Sequence, residues 1–127
     1  MAVSRVHGHA RDAAIAGVDL SNALYTLVAL SNTGTFVRPT AGGQVYGSVY
    51  ETAPQGRPAT VAMLQGSNIV KVQAGGTVAT GARVMATAAG LVVTATATNV
   101  GIGIARAGGV NGDIIEIVPA STAATVA

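Results

Sequence analysis

An all-β fold, a small barrel or sandwich of short strands with an extended N-terminal arm, is predicted by three features of the sequence. From Leu24 onward the apolar residues fall in short blocks rich in Val, Ile, Thr and Tyr, the residues that fit a pleated, half-buried surface. Those blocks are bounded by Gly, Asn and Pro, which supply the turns. The Ala-rich stretch from Ala82 to Ala97, the best helix candidate by composition, is interrupted by Thr, Val and Gly90 and lacks charged partners at helical spacing.

Residues 1–19 carry both histidines, Arg5, Arg11, Asp12 and Asp19 without a sustained strand or helix period. They read as the arm, with a short helix near Asp12 to Ala16 as an allowed variant, and residues 20–127 as the β-rich domain. Eight strands are expected in it: Leu24 to Leu30, Val45 to Tyr50, Thr60 to Leu64, Asn68 to Gln73, Arg83 to Thr87, Leu91 to Ala95, Val100 to Arg106 and Asp113 to Val118. Breaks are assigned to Asn32-Thr-Gly34, Gly42-Gly43, Gly75-Gly76, Gly108-Gly109 and Asn111-Gly112, where glycine provides positive φ at low steric cost. Pro39, Pro54, Pro58 and Pro119 are expected outside strands or at their edges. A weak internal echo joins Val72-Gln-Ala-Gly-Gly-Thr-Val78, Thr80-Gly-Ala-Arg-Val84 and Gly90-Leu-Val-Val93. Its unit is a glycine before a short apolar strand, too short for a solenoid.

The 127 residues fit one domain able to bury a core. Charged residues make up 9% of the chain, against about 25% in an average soluble domain. A surface so poor in charge implies that much of it is committed to partners in an obligate assembly. A net charge of +2 from scattered residues makes no basic stripe, and the four aromatics, Tyr25, Phe36, Tyr46 and Tyr50, stand apart from most arginines. They are expected as core anchors, and nucleic acid is not expected as a partner. No apolar run reaches the roughly 18 residues of a membrane helix, and no secretion signal is visible.

Chemistry finds little footing. Cysteine is absent, so there are no disulfides or thiolate sites. His7 and His9 alternate onto one face of an extended segment, but two ligands make a poor metal site. Asp113 and Glu116 fall on opposite faces of their strand, unlike paired catalytic carboxylates, and Asp113 reads as a turn residue. Gly101-Ile-Gly103-Ile-Ala-Arg106 begins like a dinucleotide fingerprint, yet Arg106 occupies the third glycine position. No nucleophile elbow or phosphate loop is present. The sequence therefore predicts no catalytic residue, no metal and no cofactor: a non-enzyme.

Val72-x-x-Gly75-x-x-Val78-x-x-Gly81 resembles the half-barrel rhythm of biotinyl and lipoyl carrier domains. In those carriers the modified lysine stands at a hairpin tip, whereas Lys71 sits inside the strand-like Val70-Lys-Val72. A closer match comes from Gly43-Gln-Val-Tyr-Gly47, Val70-Lys-Val-Gln-Ala-Gly-Gly-Thr-Val78, Gly81-Ala-Arg-Val84, Asn99-Val-Gly-Ile-Gly-Ile-Ala105 and Gly112-Asp-Ile-Ile-Glu-Ile-Val118. Over roughly residues 20–120 this pattern of glycines and aliphatics resembles small capsid decoration proteins of tailed phages. The resemblance implies a cement protein on the outer surface of a virion head, made in the host cytoplasm. It further implies a trimer that binds the major capsid protein and stabilises the shell lattice. Val3, Arg5, Val6, His7 and Arg11 of the arm are then the expected capsid contacts. A tail-tube or other coat subunit is the structural alternative.

Overall fold

The computed structural model describes residues 11–64, 69–96 and 101–122. Among them are ten strands and no helix: β1 (Arg11–Ile15), β2 (Leu27–Leu30), β3 (Phe36–Val37), β4 (Gly47–Glu51), β5 (Pro58–Met63), β6 (Val70–Gln73), β7 (Arg83–Ala86), β8 (Val92–Thr94), β9 (Gly101–Ala107) and β10 (Ile114–Thr122). They form two antiparallel five-stranded sheets, ordered β1-β5-β4-β2-β3 and β6-β10-β9-β7-β8, stacked as a small sandwich. The all-β prediction holds, and each of the eight expected strands has a counterpart.

Two strands were not expected. β3 is two residues long, too short to leave an alternation in the sequence. β1 occupies Arg11–Ile15, where the sequence suggested the second part of an arm and allowed a helix. Alternation explains it: Ala14 packs on the core beside buried Ala16, while Ala13 and Ile15 are exposed. A run of small residues hid this period of two, and strand pairing with β5 across five register positions outweighs alanine's helical preference.

The two sheets are two copies of one design. Adding five to every label of the first strand order gives the second. In each half the chain after the first strand turns to the opposite edge and bridges it in parallel, Ala16 to Phe36 and Ala74 to Val92, so each sheet curls toward a small barrel. A second bridge repeats as Leu20 to Ala53 and Val78 to Gly109. The bulge in β4–β5 between Val49 and Glu51 recurs in β9–β10 between Ile117 and Glu116. Even a side-chain turn repeats: Ser31 Oγ accepts from the Thr35 amide, and Thr87 Oγ1 from the Leu91 amide, both at 3.1 Å. Repeat partners such as Val28 and Val84, Gly34 and Gly90, Gly47 and Gly103, and Gly56 and Gly112 stand at one constant interval, and Ser21-Asn22 is an insertion in the first half.

Each half has its own core. The first is lined by Leu20, Val28, Phe36, Val49 and Val61, the second by Val70, Val72, Val84, Val92, Ile115 and Ile117. Not every glycine break works through φ. Gly34, Gly42 and Gly112 do adopt positive φ, but Gly75, Gly76, Gly108 and Gly109 do not. At Gly75 a Cβ would stand 2.9 Å from that of Leu91, so the missing side chain permits close approach instead. Pro119 also departs from expectation. It lies within β10 opposite Gly103, next to a register irregularity, and past Ile117, the last position at which β10 pairs with β6 among the described residues.

Candidate interaction surfaces

Of the five expected contact residues, Val3, Arg5, Val6 and His7 lie outside the described residues. Arg11 is brought into the sheet rather than left in an arm. It opens β1 opposite Ala62, and its guanidinium sits 5.2 Å from the centre of the Tyr50 ring. Tyr50 meets Tyr25 edge-on at 5.3 Å, and the Lys71 ammonium stands 6.0 Å from the Tyr25 ring. Two cations thus flank a pair of tyrosines along the seam between the halves. Such contacts contribute about 0.5–1 kcal/mol each at exposed sites. Lys71 lies within β6 opposite Glu116, not at a hairpin tip.

The aromatics divide between core and seam. Phe36 is fully buried with Tyr46 tilted against it at 5.9 Å. The Tyr46 hydroxyl donates to Asp12 Oδ2 at 2.6 Å. That hydrogen bond, then burial, then the negative charge of Asp12, raises the phenol above its ordinary range. In the second half the equivalent pair is Ile102 and Val70, so one barrel keeps a polar pair where the other is apolar. At the first half's Leu20–Ala23 corner, Asp19 accepts from the Ser21 hydroxyl at 2.6 Å and amide at 3.0 Å. These bonds hold its carboxyl below the usual range, against a small opposing effect of burial.

The seam is made by one face of the first half. Ala62, Ser48 and Leu27 lie side by side across β5, β4 and β2, all fully buried. Ser48 Oγ donates to the Lys71 carbonyl at 2.7 Å. Leu27 N–H donates to the Gly90 carbonyl, Gln73 N–H to the Tyr25 carbonyl, and Gly42 N–H to the Ala86 carbonyl, all at 2.7–2.8 Å. Arg38 adds bonds to Thr26 Oγ1 at 3.0 Å and to the Ala89 carbonyl at 3.3 Å. Leu27 and Ala62 belong to the buried cluster of the second half.

The corresponding row of the second half, Val118, Ile104 and Arg83, faces outward. Ile104 is 36% exposed, and Ile69 beside the row 38%. Elsewhere on this sheet Arg106 and Glu116 form a surface ion pair at 2.7 Å, of little energetic weight. Among the described residues no three metal-ligating side chains converge. Asp113 is a turn residue as expected: its Oδ2 accepts from the Val110 amide at 2.9 Å.

No protein-family model matches this chain, and no curated protein matches it. Its fold, however, is similar to that of the head fiber gp8.5 N base of bacteriophage phi29. The TM-score is 0.72 at 16% sequence identity, covering 87% of this chain and 93% of that one. At that identity the likeness is one of fold alone, and it extends over most of both chains.

Proposed function

We propose that this protein is a non-enzymatic structural component of a phage virion, carried on the outside of the head. There it binds the major capsid protein as a trimer and stabilises the shell lattice as a cement or decoration protein. The observation that carries this reading is the extent of the fold likeness to a phage head fiber base, which spans most of both chains. The composition supports it: 9% charged residues suit a surface that meets other protein over much of its area. A trimer seated through three equivalent contacts gains roughly 10² to 10⁴ in avidity over one contact, so modest individual contacts suffice. Residues 1–10, with Val3, Arg5, Val6 and His7, are the proposed shell-binding segment; Arg11 holds the start of the sheet.

The carrier-domain alternative is not favoured, because Lys71 is a mid-strand residue. The test of the head reading is co-sedimentation with undecorated heads of the phage whose genome encodes the chain. Saturable pelleting at a fixed ratio to shell protein is expected, and protein that stays in the supernatant refutes shell binding. Deleting residues 2–10, so that Arg11 and β1 remain, is expected to abolish pelleting with an unchanged circular dichroism spectrum. Undiminished pelleting would remove the segment from the interface.

A further inference from the structure

Internal duplication leaves each half with one face used and one unused. The seam consists of a donating face on the first half, with Ala62, Ser48 and Leu27 at its centre, and a receiving face on the second. The receiving face comprises the outer edge of β6 at Lys71 and Gln73, the end of β7 at Ala86, and the turn at Ala89-Gly90. Each face has a counterpart in the other half. The donating face recurs in the second half as Val118, Ile104 and Arg83. The receiving face recurs in the first half as Ala13, Ile15, Leu30, Thr33 and Gly34, all of them exposed.

Their exposure is unusual in kind. Ile15 is 42% and Leu30 45% exposed, although Gln73, the equivalent of Ile15, is tied through its amide to the first half, and Ala86, the equivalent of Leu30, is fully buried. Ile104 is open where its equivalent Ser48 is fully buried. Four of the large exposed apolar side chains, Ile15, Leu30, Ile69 and Ile104, therefore lie on or beside these two faces. β1 is also a sheet edge, with no strand paired to its outer side among the described residues, and such an edge is a template for pairing.

We infer that a second copy of this chain covers these faces head to tail, the Val118–Ile104–Arg83 row of one copy seating on the β1 edge and Thr33-Gly34 turn of the next. The joint repeats between molecules the packing already present within one molecule. It rests on the self-assembling part of the proposed function and is independent of shell binding. The intermolecular version is the weaker of the two, because Arg83 and Arg106 stand where the internal seam has Leu27 and Tyr50. Faces that differ from one another make a heterologous contact, which must close into a ring or grow as a filament. A ring of three fits the proposed trimer and covers both of these faces in every copy.

The test is the mass of the purified full-length chain by light scattering, with Ile104→Asp and Ile15→Asp prepared separately and their folding checked by circular dichroism. A trimeric wild type and two folded, monomeric variants are expected. Mixing the variants then discriminates the geometry: each retains one intact face, so a head-to-tail joint yields a one-to-one dimer, whereas a two-fold symmetric contact offers no such complementation. A monomeric wild type, variants that keep the trimeric mass, or a mixture that stays monomeric would each overturn the inference. Should either variant fail to fold, Ile104→Ala or Ile15→Ala replaces it, with the expectation of a weakened trimer. Head pelleting is read separately, so a monomer that still pellets overturns the joint and leaves shell binding standing.

Discussion

At residue scale the duplication supplies its own controls. Gly34 and Gly90 occupy the same turn with φ of +82° and +83°, so alanine at either adopts a left-handed backbone at about 1 kcal/mol. Only at Gly90 does a Cβ also meet the other half, 2.6 Å from the Leu27 carbonyl oxygen; at Gly34 nothing lies within 4 Å. Gly34→Ala is expected to cost about 1 kcal/mol and Gly90→Ala about 2–4 kcal/mol in urea unfolding, adding the cost of overpacking. Equal costs would deny a close-packed seam. Tyr46 and Asp12 give a second pair. Tyr46→Phe removes a hydrogen bond to a half-buried carboxylate and is expected to cost about 1–2 kcal/mol. Combined with Asp12→Val, the residue type of the second half, the cost should fall below the sum of the singles, because no acceptor is then stranded. The pH dependence follows from the raised phenol. Its folded pKa exceeds the unfolded value of about 10, so this contribution is complete below that pH and lost as pH rises through the folded value. Thermal melts between pH 9 and 11.5 should show a decline in wild type that Tyr46→Phe flattens.

At the scale of elements, the same strand position has two fates. Leu27 in β2 is fully buried against the second half, while Arg83 in β7 lies on the outward row. Leu27→Ala is expected to cost about 2–5 kcal/mol, and Arg83→Ala less than about 1 kcal/mol in the monomer, read from denaturant midpoints. Tyr25 and Gly81 make a similar contrast. Both have positive φ, +62° and +88°, but the first half places a tyrosine there. Its ring meets Tyr50 and Lys71 at the seam, and those contacts offset the left-handed cost. The β1 edge is the element least legible in the sequence. Its alternation runs through Arg, Asp, Ala and Ile, and only the register against β5 reveals which residues face inward.

Across the whole molecule, the class of fold is legible from local sequence alone. Short Val- and Ile-rich blocks and glycine punctuation specify strands and turns, because these follow from local sterics. Local sequence also gives most strand positions, and Asp113 as a turn residue. The duplication was partly legible, since Ala16-Gly17 repeats at Ala74-Gly75 and Val28, Gly34 and Gly47 repeat later. The rest of it leaves no trace in identity, because core positions accept any aliphatic of suitable size, so Phe36 answers to Val92 and Leu20 to Val78. Which faces are covered is set by long-range packing. Ser48 and Ile104 hold the same place in their strands, yet the serine is fully buried and the isoleucine open. Burial depends on what another part of the chain brings against a position, a long-range relation that the local alternation of apolar and polar residues does not encode.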